Sequence, residues 1–272
     1  LWALASALAA PDPSITIKGS DTMLILGQKW AEAYMRIHPR TKVQVTGGGS
    51  GTGFAALQNR QTDLAQSSRR IRPEEVERFI RAFRGRPREH AVALDSLTLY
   101  VNSQNPVEQL SLPELRDIYT GRITNWSALR GPNRPIVLYS RENSSGSYEF
   151  FKEKVLLGRD FSPRTQTLAG TAQVIQQVGL DPNGIGYGGS AYGQGAKHIR
   201  IAEHLGAEAV EPSESSVASQ RYPVWRYLYV YLSPENPKRE LESFLHWVRG
   251  SEGQAIASSA GYYPLPEAMQ TR

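Results

Sequence analysis

The 272 residues, 40% hydrophobic and 21% charged, suffice for one large or two moderate domains with buried cores and exclude a disordered chain. A formal net charge of +5 suits an anionic ligand or surface; there is no run of aromatics interleaved with Lys or Arg, and no nucleic-acid partner is expected. The absence of cysteine excludes disulfides and thiolate metal sites.

Leu1–Ala10 reads as the tail of a signal peptide's apolar core ending in small residues, so residues 1–13 are set apart as an N-terminal segment. No apolar run reaches the ~20 residues needed to span a bilayer. Strand-like and helix-like segments then alternate, which predicts an α/β fold. Ser14–Lys18 is a strand. Leu26, Trp30, Tyr34 and Ile37 recur at helical spacing until Pro39 stops the helix. Lys42–Thr46 is a strand, followed by a glycine-rich turn and a short helix over Phe54–Asn59. Asp63–Ala65 is a short strand, and Pro73–Phe83 an amphipathic helix opened by proline and two glutamates. Ala91–Val101 is a strand long enough to cross between lobes. Leu112–Tyr119 is a helix closed by Gly121, and Ile136–Ser140 a strand. Thr171–Val178 is helical, and 183–189 is a glycine-heavy strand and turn. Arg226–Leu232 is a second long strand, and Arg239–Val248 and Gly253–Ala260 are closing helices. Two long strands around the middle third predict a discontinuous lobe I (14–95 plus 226–272) with lobe II (96–225) inserted.

Four turns carry chemistry. In Ser140-Arg141-Glu142-Asn143-Ser144-Ser145-Gly146-Ser147-Tyr148, one arginine stands four residues before a Ser-Gly-Ser cluster that opens a helix. Free backbone N–H groups, the helix dipole, hydroxyl donors and a guanidinium fork together suit a small tetrahedral anion. Gly47-Gly48-Gly49-Ser50-Gly51-Thr52-Gly53 offers similar chemistry, with Ser50 as donor; a merely flexible loop is the bland reading. It is neither a Walker loop nor a dinucleotide fingerprint, because no Gly-Lys-Ser/Thr follows and Ser67-Ser68-Arg69-Arg70 stands where an acidic residue would close the second strand. Thr22, in Gly19-Ser20-Asp21-Thr22-Met23, is an anion donor or an ordinary helix cap. Ser68 is a contact or a solvated cap, and Arg69 and Arg70 are left open between those roles. Arg81, Arg84, Arg86 and Arg88 read as a solvated face. The five histidines show no ligand spacing, so no metal or cofactor is expected. Ser190 misses the nucleophile-elbow pattern because Tyr192 replaces its last glycine.

These motifs resemble the PstS-like phosphate-binding proteins of bacterial ABC importers. The markers are Gly-Ser-Asp-Thr at 19–22, Thr-Gly-Gly-Gly-Ser-Gly-Thr-Gly at 46–53, Asp-Leu-Ala-Gln-Ser-Ser-Arg at 63–69 and Ser-Arg-Glu-Asn-Ser-Ser-Gly-Ser at 140–147. Asp-Pro-Asn-Gly-Ile-Gly-Tyr at 181–187 and the Ser-Glu-Gly-Gln and Gly-Tyr-Tyr-Pro-Leu tail join them. The resemblance implies a two-lobed type II periplasmic-binding-protein fold, each lobe a mixed sheet flanked by helices and joined by two hinge strands. It implies a monomeric, periplasmic receptor that captures inorganic phosphate, is not an enzyme, and delivers its cargo to an ABC permease. Carried over by motif, Thr22, the Met23 amide, Ser50, Arg141, Ser145, Gly146 and Ser147 bind the anion; Ser68 joins them as a candidate contact from its own place after the strand at Asp63. The family pattern has an aspartate at the place of Ser68, which accepts the proton of phosphate; Asp21 is the expected replacement acceptor. Asn143 stands where an aspartate often braces the arginine. The alternatives are another tetrahedral oxyanion such as sulfate or arsenate, or a phosphate-ester hydrolase or adhesion protein on the same fold.

Overall fold

The structure, a computed structural model, describes residues 13–235 and 238–271. The predicted signal-peptide remnant Leu1–Ala10 lies outside the described residues. The elements run β1 (Ser14–Gly19), α1 (Leu24–Ile37), β2 (Lys42–Thr46), α2 (Ser50–Gln58), β3 (Leu64–Ser67), α3 (Pro73–Phe83) and β4 (Arg88–Val101). Then follow β5 (Gln109–Ser111), α4 (Leu112–Tyr119), β6 (Val137–Arg141), α5 (Gly146–Lys154), β7 (Gln166–Leu168), α6 (Thr171–Leu180) and β8 (Gly184–Gly189). The chain closes with β9 (Lys197–His198), β10 (Arg200–Ala202), α7 (Glu214–Ala218), β11 (Trp225–Leu232), α8 (Arg239–Arg249) and α9 (Ser251–Ser259).

One mixed sheet has the order β2-β1-β3-β11-β4-β8-β6-β7, with β9 beside β4; β10 and β5 form a separate parallel pair. The pivot is β4. Its residues 88–96 pair antiparallel with β11, and Leu97–Val101 pair antiparallel with β8. Separate cores lie on either side of this change of partner. Ile15, Leu26, Trp30, Leu228 and Phe244 belong to one, and Leu99, Leu115, Trp126, Phe151 and Tyr187 to the other. The C-terminal helices return to the first core: the Trp30 indole N–H donates to the Gly253 carbonyl at 2.7 Å, and the Gln254 amide to the Val92 carbonyl at 2.9 Å.

The helical periodicity is realised in α1, where Leu26, Trp30 and Tyr34 are all buried. Ile37 departs from the expectation. It is 53% exposed at the last residue of the helix, one turn past buried Tyr34. The second helix also begins earlier than its residues suggest. Glycine is a poor helix former, yet Ser50–Gly53 are its first turn. A side chain at Gly53 would meet the Lys18 carbonyl oxygen at 2.7 Å, so that glycine lets the helix press against β1. The short elements β5, β7, β9, β10 and α7 were not legible from periodicity.

Candidate functional site

The sequence motifs meet where the two halves face one another. Thr22 lies in a 3-10 turn (Asp21–Met23) directly after β1. Two tyrosines hold that turn: Tyr192 donates to the Asp21 carbonyl and Tyr262 to the Thr22 carbonyl, each at 2.5 Å. Burial pushes the Tyr192 hydroxyl up to about 12 and holds that of Tyr262 well above its ordinary value, so both remain proton donors at neutral pH. The Thr22 hydroxyl then reaches Ser147 Oγ of α5 at 2.9 Å. Met23 is fully buried beside it.

Ser50 opens α2 and Gly146 opens α5, so two helix N-termini confront each other. A Cβ placed on Gly146 would lie 2.3 Å from Ser50 Oγ and 2.6 Å from Ser68 Oγ. The Gly51 N–H donates to the Ser144 carbonyl at 3.0 Å, closing the same seam. Ser50 Oγ accepts the Ser68 N–H at 3.1 Å. Ser68 Oγ is buried and has no hydrogen-bond partner among the described residues. Ser145 caps α5, its Oγ accepting the N–H groups of Ser147 (3.2 Å) and Tyr148 (3.4 Å). Facing helix ends carry like partial charge, which is unfavourable unless negative charge lies near both. This closed seam therefore combines two electropositive helix ends with buried hydroxyls at Thr22, Ser50, Ser68 and Ser147.

Arg141 ends β6 and is 2% exposed. Its Nε donates to the Leu168 carbonyl (3.3 Å), Nη1 to Thr171 Oγ1 (2.7 Å), and Nη2 to the Ala169 carbonyl (2.6 Å) and Asp21 Oδ2 (2.5 Å). Asp21 Oδ1 accepts the Gly48 N–H at 3.0 Å. Asp21 thus braces the arginine across the seam, whereas Glu142 and Asn143 are exposed.

Arg69 and Arg70 point elsewhere. Arg69 is buried and forks onto Glu75 with two contacts of 2.8 Å. Burial pushes the Glu75 carboxyl up, but the Arg69 hydrogen bond and charge, helped by Arg72, outweigh it and hold that carboxyl below its ordinary value. Arg70 is mostly exposed, beside Tyr229 and Glu89. Arg81 and Arg88 pair at the surface with Glu77 and Glu242. Among the described residues no three His, Cys, Asp or Glu side chains are grouped to hold a metal.

Motif reading missed a buried pair, Asp95 of β4 and Arg226 of β11, which are direct register partners. Asp95 Oδ2 accepts from Arg226 Nε at 2.9 Å and Nη2 at 2.8 Å, and Oδ1 accepts the Ser190 N–H at 3.2 Å. Burial pushes the Asp95 carboxyl up, opposed by the guanidinium and the amide. The available signal was a single charge in each of the largely apolar runs 91–101 and 225–232, Asp95 in one and Arg226 in the other, a pattern that buried residues tolerate only when paired.

A sequence model of the PBP superfamily domain matches residues 5–252. The phosphate-binding protein PstS of Pseudomonas aeruginosa is 33% identical, the match covering 96% of this chain and 90% of that protein. The chain belongs to the PstS family of the PBP superfamily. The PstS of Bacillus subtilis is 30% identical over 95% of this chain and 83% of its own length. Among solved structures, a substrate-binding protein from Clostridium perfringens with bound phosphate superposes with a TM-score of 0.85 at 27% identity, covering 93% of this chain and all of that one. An ABC-type phosphate transport receptor from Vibrio cholerae gives 0.74 at 25% identity, over 93% of this chain and 100% of that one. The family's fold is two-lobed and mixed α/β, as its motifs implied.

Proposed function

We propose that this chain is an extracytoplasmic solute-binding protein that takes inorganic phosphate into the chamber between its lobes and presents it to an ABC-type permease. The carrying observation is the convergence of Ser50 and Ser68 on Gly146 and of Thr22 on Ser147, between two helix N-termini. In this reading Thr22, the Met23 amide, Ser50, Ser68, Ser145, Gly146 and Ser147 supply neutral donors, and Arg141 supplies charge. Asp21 is assigned to bracing Arg141 rather than to accepting the ligand's proton, since both its oxygens already accept donors. The Ser68 hydroxyl, able to donate or accept, is the group left to meet that proton. The separate cores support lobes of 14–95 plus 226–272 and 96–225, and the reading is of a monomer without a catalytic cycle, working in the periplasm. Among the described residues no helix is long and apolar enough to cross a membrane.

Magnitudes suit this role. Phosphate has about five heavy atoms, and a ceiling near 1.5 kcal/mol per atom gives roughly 7–8 kcal/mol, about micromolar. The second reading is a receptor that also takes sulfate or arsenate, favoured by a serine hydroxyl rather than an unengaged carboxylate at residue 68. Calorimetry with phosphate, sulfate and arsenate tests both. Binding of phosphate at about micromolar affinity is expected, and absence of phosphate binding overturns the proposal.

A further inference from the structure

We infer that Arg226 is a second guanidinium of the anion chamber, and that its outer edge donates to the bound oxyanion. This inference rests on the oxyanion reading above. Arg141 has little left to give: four of the five N–H groups of its guanidinium are committed to Leu168, Thr171, Ala169 and Asp21. Arg226 is the opposite case. Nε and one N–H of Nη2 are fixed on Asp95 Oδ2, and Nη2 also approaches Thr22 Oγ1 at 3.4 Å. Because the group is planar, the edge shared by Nη1 and Nη2 is then the edge turned to Thr22. Nη1 is buried and has no hydrogen-bond partner among the described residues. The whole side chain is only 2% exposed.

The plane of this guanidinium is held from both lobes. Asp95, itself tied to the Ser190 amide, anchors one edge, and the Phe150 ring of α5 lies 5.4 Å from Cζ. Thr22, which Arg226 touches, is bonded to Ser147 at the start of that same helix. A buried donor left unpaired is costly, and an oxyanion oxygen accepting from Nη1 relieves it with a charge-assisted bond. The pair also explains how the chamber carries cationic donors without net charge: Asp95 neutralises Arg226 from behind, as Asp21 does Arg141.

The test uses calorimetry with inorganic phosphate and thermal melting without it, on the wild type, Arg226→Lys and the double variant Asp95→Asn/Arg226→Gln. Lysine keeps the charge that Asp95 needs but cannot hold Asp95 side-on and still present a second edge; the double variant removes both charges together. Both are expected to fold and to bind phosphate about tenfold more weakly or worse. If Arg226 only neutralises Asp95, folded Arg226→Lys binds like the wild type, and that result overturns the inference. Should Arg226→Lys fail to fold, the double variant decides by the same criterion, wild-type affinity overturning the inference. A wild type that binds no phosphate refutes the oxyanion reading itself, which is a distinguishable outcome.

Discussion

Replacing Gly146 by alanine asks whether the two helix N-termini truly converge. The new Cβ would stand 2.3 Å from Ser50 Oγ and 2.6 Å from Ser68 Oγ, so reaching ordinary contact demands a separation of roughly 1 Å at this seam. Overpacking of this kind costs about 1–3 kcal/mol, and here the strain falls on the closure of one lobe against the other. Local helix propensity runs the opposite way, since alanine is favoured over glycine by up to ~1 kcal/mol. The unliganded melting temperature is therefore expected to stay near the wild type, while phosphate affinity falls by about five- to 150-fold. Calorimetry paired with thermal melting reads both quantities. Affinity within about threefold of wild type would show that Ser50, Ser68 and Gly146 do not enclose the ligand together.

Two further expectations concern charge. Asp21→Asn removes the brace on Arg141, so phosphate and sulfate binding should weaken by a similar factor in competition titrations; a change in selectivity alone would instead make Asp21 the proton acceptor. Glu75, whose carboxyl is held below its unfolded value chiefly by Arg69 against the cost of burial, contributes stability above about pH 4.3 that is lost as pH falls through the folded pKa. Glu75→Gln should lower stability at neutral pH by about 3–5 kcal/mol, because Arg69 is left buried and unpaired, and should flatten the acid limb of a plot of melting temperature against pH. An acid limb as steep as the wild type's would contradict this.

Much of this architecture is readable in local pattern, for local reasons. The apolar spacing of α1, the Pro-Glu-Glu opening of α3 and the apolar runs of β4 and β11 each carry their own signal. Ser50, Gly146 and Arg141 stand out because turn chemistry marks them. What escaped notice depends on partners remote in sequence. Arg226 meets Asp95 across 131 residues through strand register, and Asp21 reaches Arg141 across 120. The start of α2 was misplaced because packing of Gly53 on β1 overrides the poor propensity of glycine. Strands of two or three residues, such as β9 and β7, are too short to show a period.

The most direct measurement is a crystal structure of the protein grown with inorganic phosphate. The account requires one tetrahedral anion between the lobes, within hydrogen-bond reach of Ser50 Oγ, the Gly146 N–H and Thr22 Oγ1. Phosphate bound on an outer face, with Ser50 and Gly146 still packed directly on each other, would contradict it.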